Sequence, residues 1–342
     1  MRVLTDEEMK KIKSGPVFDE SNFGDDGINK IYYGTPGCGK SHTVDLDYPK
    51  SRYSIIRTVF HPEYSNSDFI GQIVPKLVSI EEGKKISYEF EKGPFVNALI
   101  KAYNNPKQSV VLIIEEIYRG NASAIFGDIF QLLDRKENGF SRYGLFNKNI
   151  LDELEKETAY SFDEVKIPGN LSIIATMNTS DQNVFTLDTA FKRRWEMRKI
   201  SNDFEDKSDD YTRDLGELFI PGSKNSVNWK SFVTTINKAI VEKNQNGLYS
   251  EDKQIGIYFV DCSYLCKKDE VASKEKIDKF SNKVLMYIWE DIAKLCPETW
   301  FIETKSLDGV FKKIKKLAET DESCKVFKGL FGDISSVEDS GE

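Results

Sequence analysis

The residues Gly34, Thr35, Pro36, Gly37, Cys38, Gly39, Lys40 and Ser41 have the types and spacing of a loop that grips phosphate. Its glycines keep side chains off the anion, so consecutive backbone N–H groups can turn toward the oxygens. The loop follows the apolar residues Ile31, Tyr32 and Tyr33 and leads through His42 into a helix, whose N-terminus adds partial positive charge. Lys40 is expected to reach the outer phosphates, and Ser41 to ligate Mg²⁺. The spacing predicts a nucleoside triphosphate site.

Glu115 and Glu116 close the apolar run 109–114. In an open α/β sheet that carboxyl edge is where ligands bind. One carboxylate can serve the metal shell while its neighbour orients or deprotonates an attacking water. Asn178 ends the next apolar run, 171–177, and its neutral amide can bond both a terminal phosphate and that water. Lys192, Arg193 and Arg194 form the other concentrated signal. A guanidinium is always charged and donates in a planar fork, which suits a transferring phosphoryl group. Supplied by a neighbouring subunit, it would make hydrolysis depend on assembly.

Positioning these groups requires a particular order of elements. Strands are expected near 31–33, 53–60, 109–114 and 171–177, and helices at 95–103 and 122–133. A polar, hairpin-like insertion is expected over 135–168. Runs 109–114 and 171–177 lack polar alternation, as in strands covered on both faces. The expectation is a three-layer α/β core with a parallel sheet over 28–203, after an N-terminal extension at 1–27. A smaller, mainly helical domain follows over 204–333, with helices at 229–242, 277–296 and 309–318, and then a flexible tail at 334–342.

The 342-residue chain has a formal net charge of −8, which argues against a dedicated basic DNA-reading domain within it. Two histidines and an odd count of five cysteines leave little for zinc chemistry. Neither a signal peptide nor an apolar stretch of membrane length is visible, so a cytoplasmic chain without membrane contact is expected.

Together the motifs resemble AAA+ NTPases, and within them the McrB family of modified-cytosine restriction GTPases. Residues 60–70 are similar to that family's FHPSYSYEDFI segment, and 113–121 running into 125–128 to IIDEINRAN followed by VFGE. Residues 175–181 are similar to its TMNTAD element, and 187–195 to VDYALRRRF. Gln254, Ile255 and Gly256, with Tyr258 and Phe259, resemble the RIGHSYF segment of the helical lid. The compact length resembles McrB relatives of LlaJI-type restriction loci.

The resemblance implies an AAA+ three-layer αβα core followed by a helical lid. It implies that Lys40 and Ser41 serve phosphate and Mg²⁺, Glu115 the metal shell, and Glu116 the water. Asn178 would be the sensor, Asp181 would bear on guanine, Arg193 and Arg194 would act in trans, and Arg119 would be a second intersubunit candidate. The implied protein is a homo-hexameric motor hydrolysing GTP (or ATP) with Mg²⁺. An McrC-like nuclease subunit would be its partner, and DNA would be reached through the complex or a separate reading subunit. A MoxR-like ATP-dependent chaperone is the alternative. The chain departs from the family pattern at Glu115 (an Asp there), Tyr118 (Asn), Gln182 (Arg) and Gln254 (Arg).

Overall fold

Residues 110–115 and 171–178 are apolar enough to be covered on both faces, and the chain pairs them inside a sheet. The computed structural model describes residues 19–80, 83–179, 185, 187–207, 209–242, 253–302 and 306–331. Its strands are β1 (Asn29–Gly34), β2 (Ser54–Val59), β5 (Val110–Glu115), β6 (Leu171–Asn178) and β7 (Glu196–Lys199), in the order β2-β5-β6-β1-β7. The β2–β5, β5–β6 and β1–β7 ladders are parallel, and the Ile173 N–H joins β6 to the Ile28 carbonyl before β1. The carboxyl ends of β5 and β6 therefore share one edge. Helix α1 (Lys40–Asp47) follows the phosphate loop, and α3 (Pro94–Asn104) starts on a proline whose missing N–H costs nothing there.

By contact density the chain divides into two units. One holds residues up to Tyr33 together with Lys40–Lys199; the other holds Gly34–Gly39 together with the chain from Ile200 onward. The phosphate-loop glycines thus group with the later part of the chain.

Within the first unit, Arg135 is half-buried and its guanidinium donates to Asn29 Oδ1, Gly139 O and Leu171 O, at 2.7–3.1 Å. Burial without a carboxylate pulls its pKa down to about 9. Asn29 Nδ2 donates in turn to Leu133 O and Arg194 O, tying the start of β1 to the Arg193–Arg194 segment after the short helix α6 (Thr189–Lys192).

Three expectations are corrected. Helix 122–133 is α-helical only as α4 (Ala122–Phe126); Gly127, at φ 47°, turns the rest into a 3-10 helix. The 135–168 insertion carries a helix, α5 (Lys148–Glu157), enclosed by the antiparallel bridge Leu145–Val165 and preceded by the bridge Arg135–Ser141. Its amphipathic spacing buries Ile150, Leu151 and Leu154. The true long hairpin lies earlier, between α2 (Asn66–Phe69) and α3: β3 (Gly71–Ile80) pairs antiparallel with β4 (Gly83–Lys92). One face of this ribbon is apolar, through Ile73 opposite Phe90, Pro75 opposite Tyr88 and Leu77 opposite Ile86.

The second unit packs around the buried Trp229 and Trp300. Its helices are α7 (Asp210–Glu217), α8 (Trp229–Glu242), α9 (Lys274–Phe280) and α10 (Leu307–Ala318). The single helix expected over 277–296 is instead α9 followed by π-helical turns at Ser281–Leu285 and Ile288–Ile292. Among the described residues no helix is long and apolar enough to cross a membrane.

Candidate nucleotide site

The acidic edge is assembled by strand register. Ile114 pairs with Ala175, so Glu115 is level with Thr176, and Asn178, two residues on, falls on the same face of β6. Thr176 Oγ1 donates to Glu115 Oε2 and accepts from the Glu116 N–H at 3.2 Å, so one hydroxyl fixes both acids. Asn178 Nδ2 lies 3.1 and 3.0 Å from the two Glu116 oxygens. Arg119 Nε is 3.6 Å from Glu116 Oε2. Glu116 itself adopts a left-handed conformation, at φ 56° and ψ 46°, which turns the chain away from the strand immediately after the buried Ile114 and the half-buried Glu115. Strained non-glycine residues of this kind cluster at functional positions.

Ser41 Oγ is 3.2 Å from Glu115 Oε2, bringing a hydroxyl and a carboxylate together. Among the described residues no cluster of three or more His, Cys, Asp or Glu could hold a metal. A hydroxyl and a single carboxylate are nevertheless the donor set of a Mg²⁺ that keeps waters and takes its other ligands from phosphate. The residues fit that ion, which Ser41 and Glu115 would hold. Lys40 is buried, and His42 is exposed.

The two arginines expected to act together part company. Arg193 is exposed. Arg194 is drawn into its own unit: Nε and Nη2 reach Asp134 Oδ2 at 3.0 and 2.8 Å, Nη1 donates to Ala190 O, and the guanidinium lies 4.1 Å from the Phe130 ring centroid. Asp181 and Gln182 lie outside the described residues.

In the second unit, the phosphate loop leans on the backbone of 256–259. Gly37 and Gly39 take φ of 76° and 93°, open to glycine without penalty. The Tyr258 N–H donates to Gly37 O at 2.7 Å. A Cβ on Gly256 would lie 2.1 Å from the Gly37 carbonyl carbon, so only glycine fits there. This supporting segment is itself clamped. Asn237 exchanges two hydrogen bonds with the Ile255 backbone, while Asn202 donates to Ile255 O and accepts from the Ile257 N–H. Trp229 Nε1 donates to Ile257 O. Lys253 donates to Asp291 O.

Sequence reasoning missed Thr176, Asn202, Asn237 and Trp229. Thr176 was detectable as the residue two before Asn178 on a strand. The two asparagines act on backbone far away in sequence, and no local spacing marks them.

Residues 30–195 match the AAA domain family (dynein-related subfamily). The chain is 35% identical over 308 residues to the Type II restriction enzyme BsuMI component YdiS of Bacillus subtilis (strain 168), covering 83% of this chain and 85% of that protein. It is 28% identical over 184 residues to the Type IV methyl-directed restriction enzyme EcoKMcrB subunit of Escherichia coli (strain K12), covering 52% of this chain and 36% of that protein.

Proposed function

Because the chain belongs to the McrB-like AAA+ subunits of restriction systems, we propose that it is the motor of a multisubunit DNA restriction complex. In this reading it hydrolyses GTP in preference to ATP, in a hexameric ring, and drives DNA toward a partner nuclease. Bound Mg²⁺ would supply charge neutralisation on the phosphates. The loop backbone and Lys40 hold the triphosphate. Glu116 takes the proton of the attacking water, and Asn178 shares its amide between that water and the terminal phosphate. Arg193, exposed on its own subunit, is the finger offered to a neighbour, with Arg119 the second intersubunit candidate. Asp181 is assigned to the base.

The observation that carries this reading is the convergence of Ser41, Glu115, Thr176, Glu116 and Asn178 on one strand edge. Both relatives are named as restriction-system components, which favours this function over a chaperone. The test is phosphate release from GTP and from ATP, with and without the partner nuclease subunit. Turnover of GTP that rises with the partner is expected. Absence of turnover with either nucleotide contradicts the reading.

A further inference from the structure

Arg57 is absent from the roles assigned so far, yet it stands beside the acid that would hold the metal. On β2 it pairs with Ile113, and Glu115 lies two residues further along β5 on the same face. Its Nη1 is 3.2 Å from Glu115 Oε1. That oxygen is buried and carries no aligned hydrogen bond, so the contact is a pairing of charges rather than a directed bond. The other arm of the guanidinium, Nη2, is bonded to Asp45 of α1. Arg57 thus lies between two carboxylates, one at the strand edge and one on the helix that follows the phosphate loop.

Glu115 therefore has two sides. Oε2 takes Thr176 and faces the Ser41 hydroxyl; Oε1 faces a cation. A half-buried carboxylate without a counter-charge is costly, so some cation must balance it in the absence of a metal. A divalent ion on the same carboxylate would compete with the guanidinium. Arg57 can yield Glu115 cheaply, because its bond to Asp45 remains.

We propose that Arg57 is the exchangeable counter-charge of the metal site, holding Glu115 in the metal-free chain and releasing it to Mg²⁺ while staying on Asp45. It is a positioning residue, acting through Glu115, and it sets how much Mg²⁺ the site needs. The inference rests on the nucleotide-binding reading above.

The experiment is a Mg²⁺ titration of fluorescent GTP and ATP analogues binding to the full chain, with a parallel thermal melt in EDTA. Removing the competing charge in Arg57→Gln should lower the Mg²⁺ midpoint about tenfold and lower the melting temperature in EDTA. Mg²⁺ with nucleotide should recover the lost stability. Arg57→Lys should stay near the parent midpoint. Asp45→Asn leaves Arg57 only Glu115 to pair with, and should raise the midpoint by roughly threefold. Opposite shifts in the two variants cannot come from simple loss of packing. An unchanged or raised midpoint in Arg57→Gln overturns the proposal, as does a lowered midpoint in Asp45→Asn. Failure of the unaltered chain to bind either nucleotide at any Mg²⁺ concentration overturns the nucleotide reading itself, and this inference with it.

Discussion

The acidic edge of the first unit and the phosphate loop of the second are held in different ways. At the edge, side chains hold side chains: Thr176 fixes Glu115, Asn178 and Arg119 contact Glu116, and Arg57 balances Glu115. At the loop, backbone holds backbone, through Tyr258 N–H to Gly37 O and a glycine-to-glycine approach at Gly256. A side-chain network can lose one member and keep its shape. A backbone contact closer than a Cβ allows has no such tolerance, so damage there should spread through the whole loop.

The largest effect should therefore come from the loop's support. Gly256→Ala places a carbon where Gly37 already lies, and the loop must shift. We expect nucleotide affinity to fall by about 100-fold, some 2.7 kcal/mol, with the second unit still folded by circular dichroism. Unimpaired binding by this variant would remove the contrast between the two regions. At the edge, Glu116→Gln keeps size and the Asn178 contact but loses the base. Turnover should fall by roughly 10²–10³ while equilibrium nucleotide binding stays intact, a split that the loop variant cannot show.

The arginines extend the same contrast to stability. Arg194→Ala strips Asp134 of a largely buried partner and should cost about 2 kcal/mol in unfolding free energy, read in a denaturant melt. Arg193→Ala should leave the melt unchanged and reduce turnover only in the assembled ring. Equal destabilisation by the two would dissolve the distinction drawn from their exposure. The smallest change is Tyr258→Phe. It loses the hydroxyl contact with Thr212 but keeps the backbone N–H, and should cost under about 1 kcal/mol with nucleotide binding retained.

What the sequence disclosed follows the same division. The phosphate loop, the paired acids and Asn178 were legible because each requires a fixed residue type at a fixed local spacing. The buried strands were legible from their unbroken apolar runs. The β3–β4 ribbon was overlooked although Ile73, Pro75 and Leu77 alternate against Ile86, Tyr88 and Phe90. Its apolar face is open, with Leu77 70% and Tyr88 72% exposed, unlike the covered strands. The 135–168 segment has the antiparallel bridges of a hairpin-like insertion, but the 3.6-residue spacing of Ile150, Leu151 and Leu154 also makes a helix inside it that the expectation left out. Arg194 could not be told from Arg193 in the sequence. Its fate depends on Asp134, 60 residues away, and on the Phe130 ring. The clamp of Asn202, Asn237 and Trp229 on residues 255–257 was equally hidden, since it acts on backbone atoms that carry no residue identity.

The central claim is that this strand edge hydrolyses a nucleoside triphosphate through Glu116. The most direct measurement is steady-state phosphate release from GTP and ATP with Mg²⁺, comparing the unaltered chain with Glu116→Gln in the presence of the partner nuclease subunit. The account predicts release by the unaltered chain, faster with GTP, and its loss in Glu116→Gln with binding preserved. Equal release by both proteins, or none by either, would contradict it.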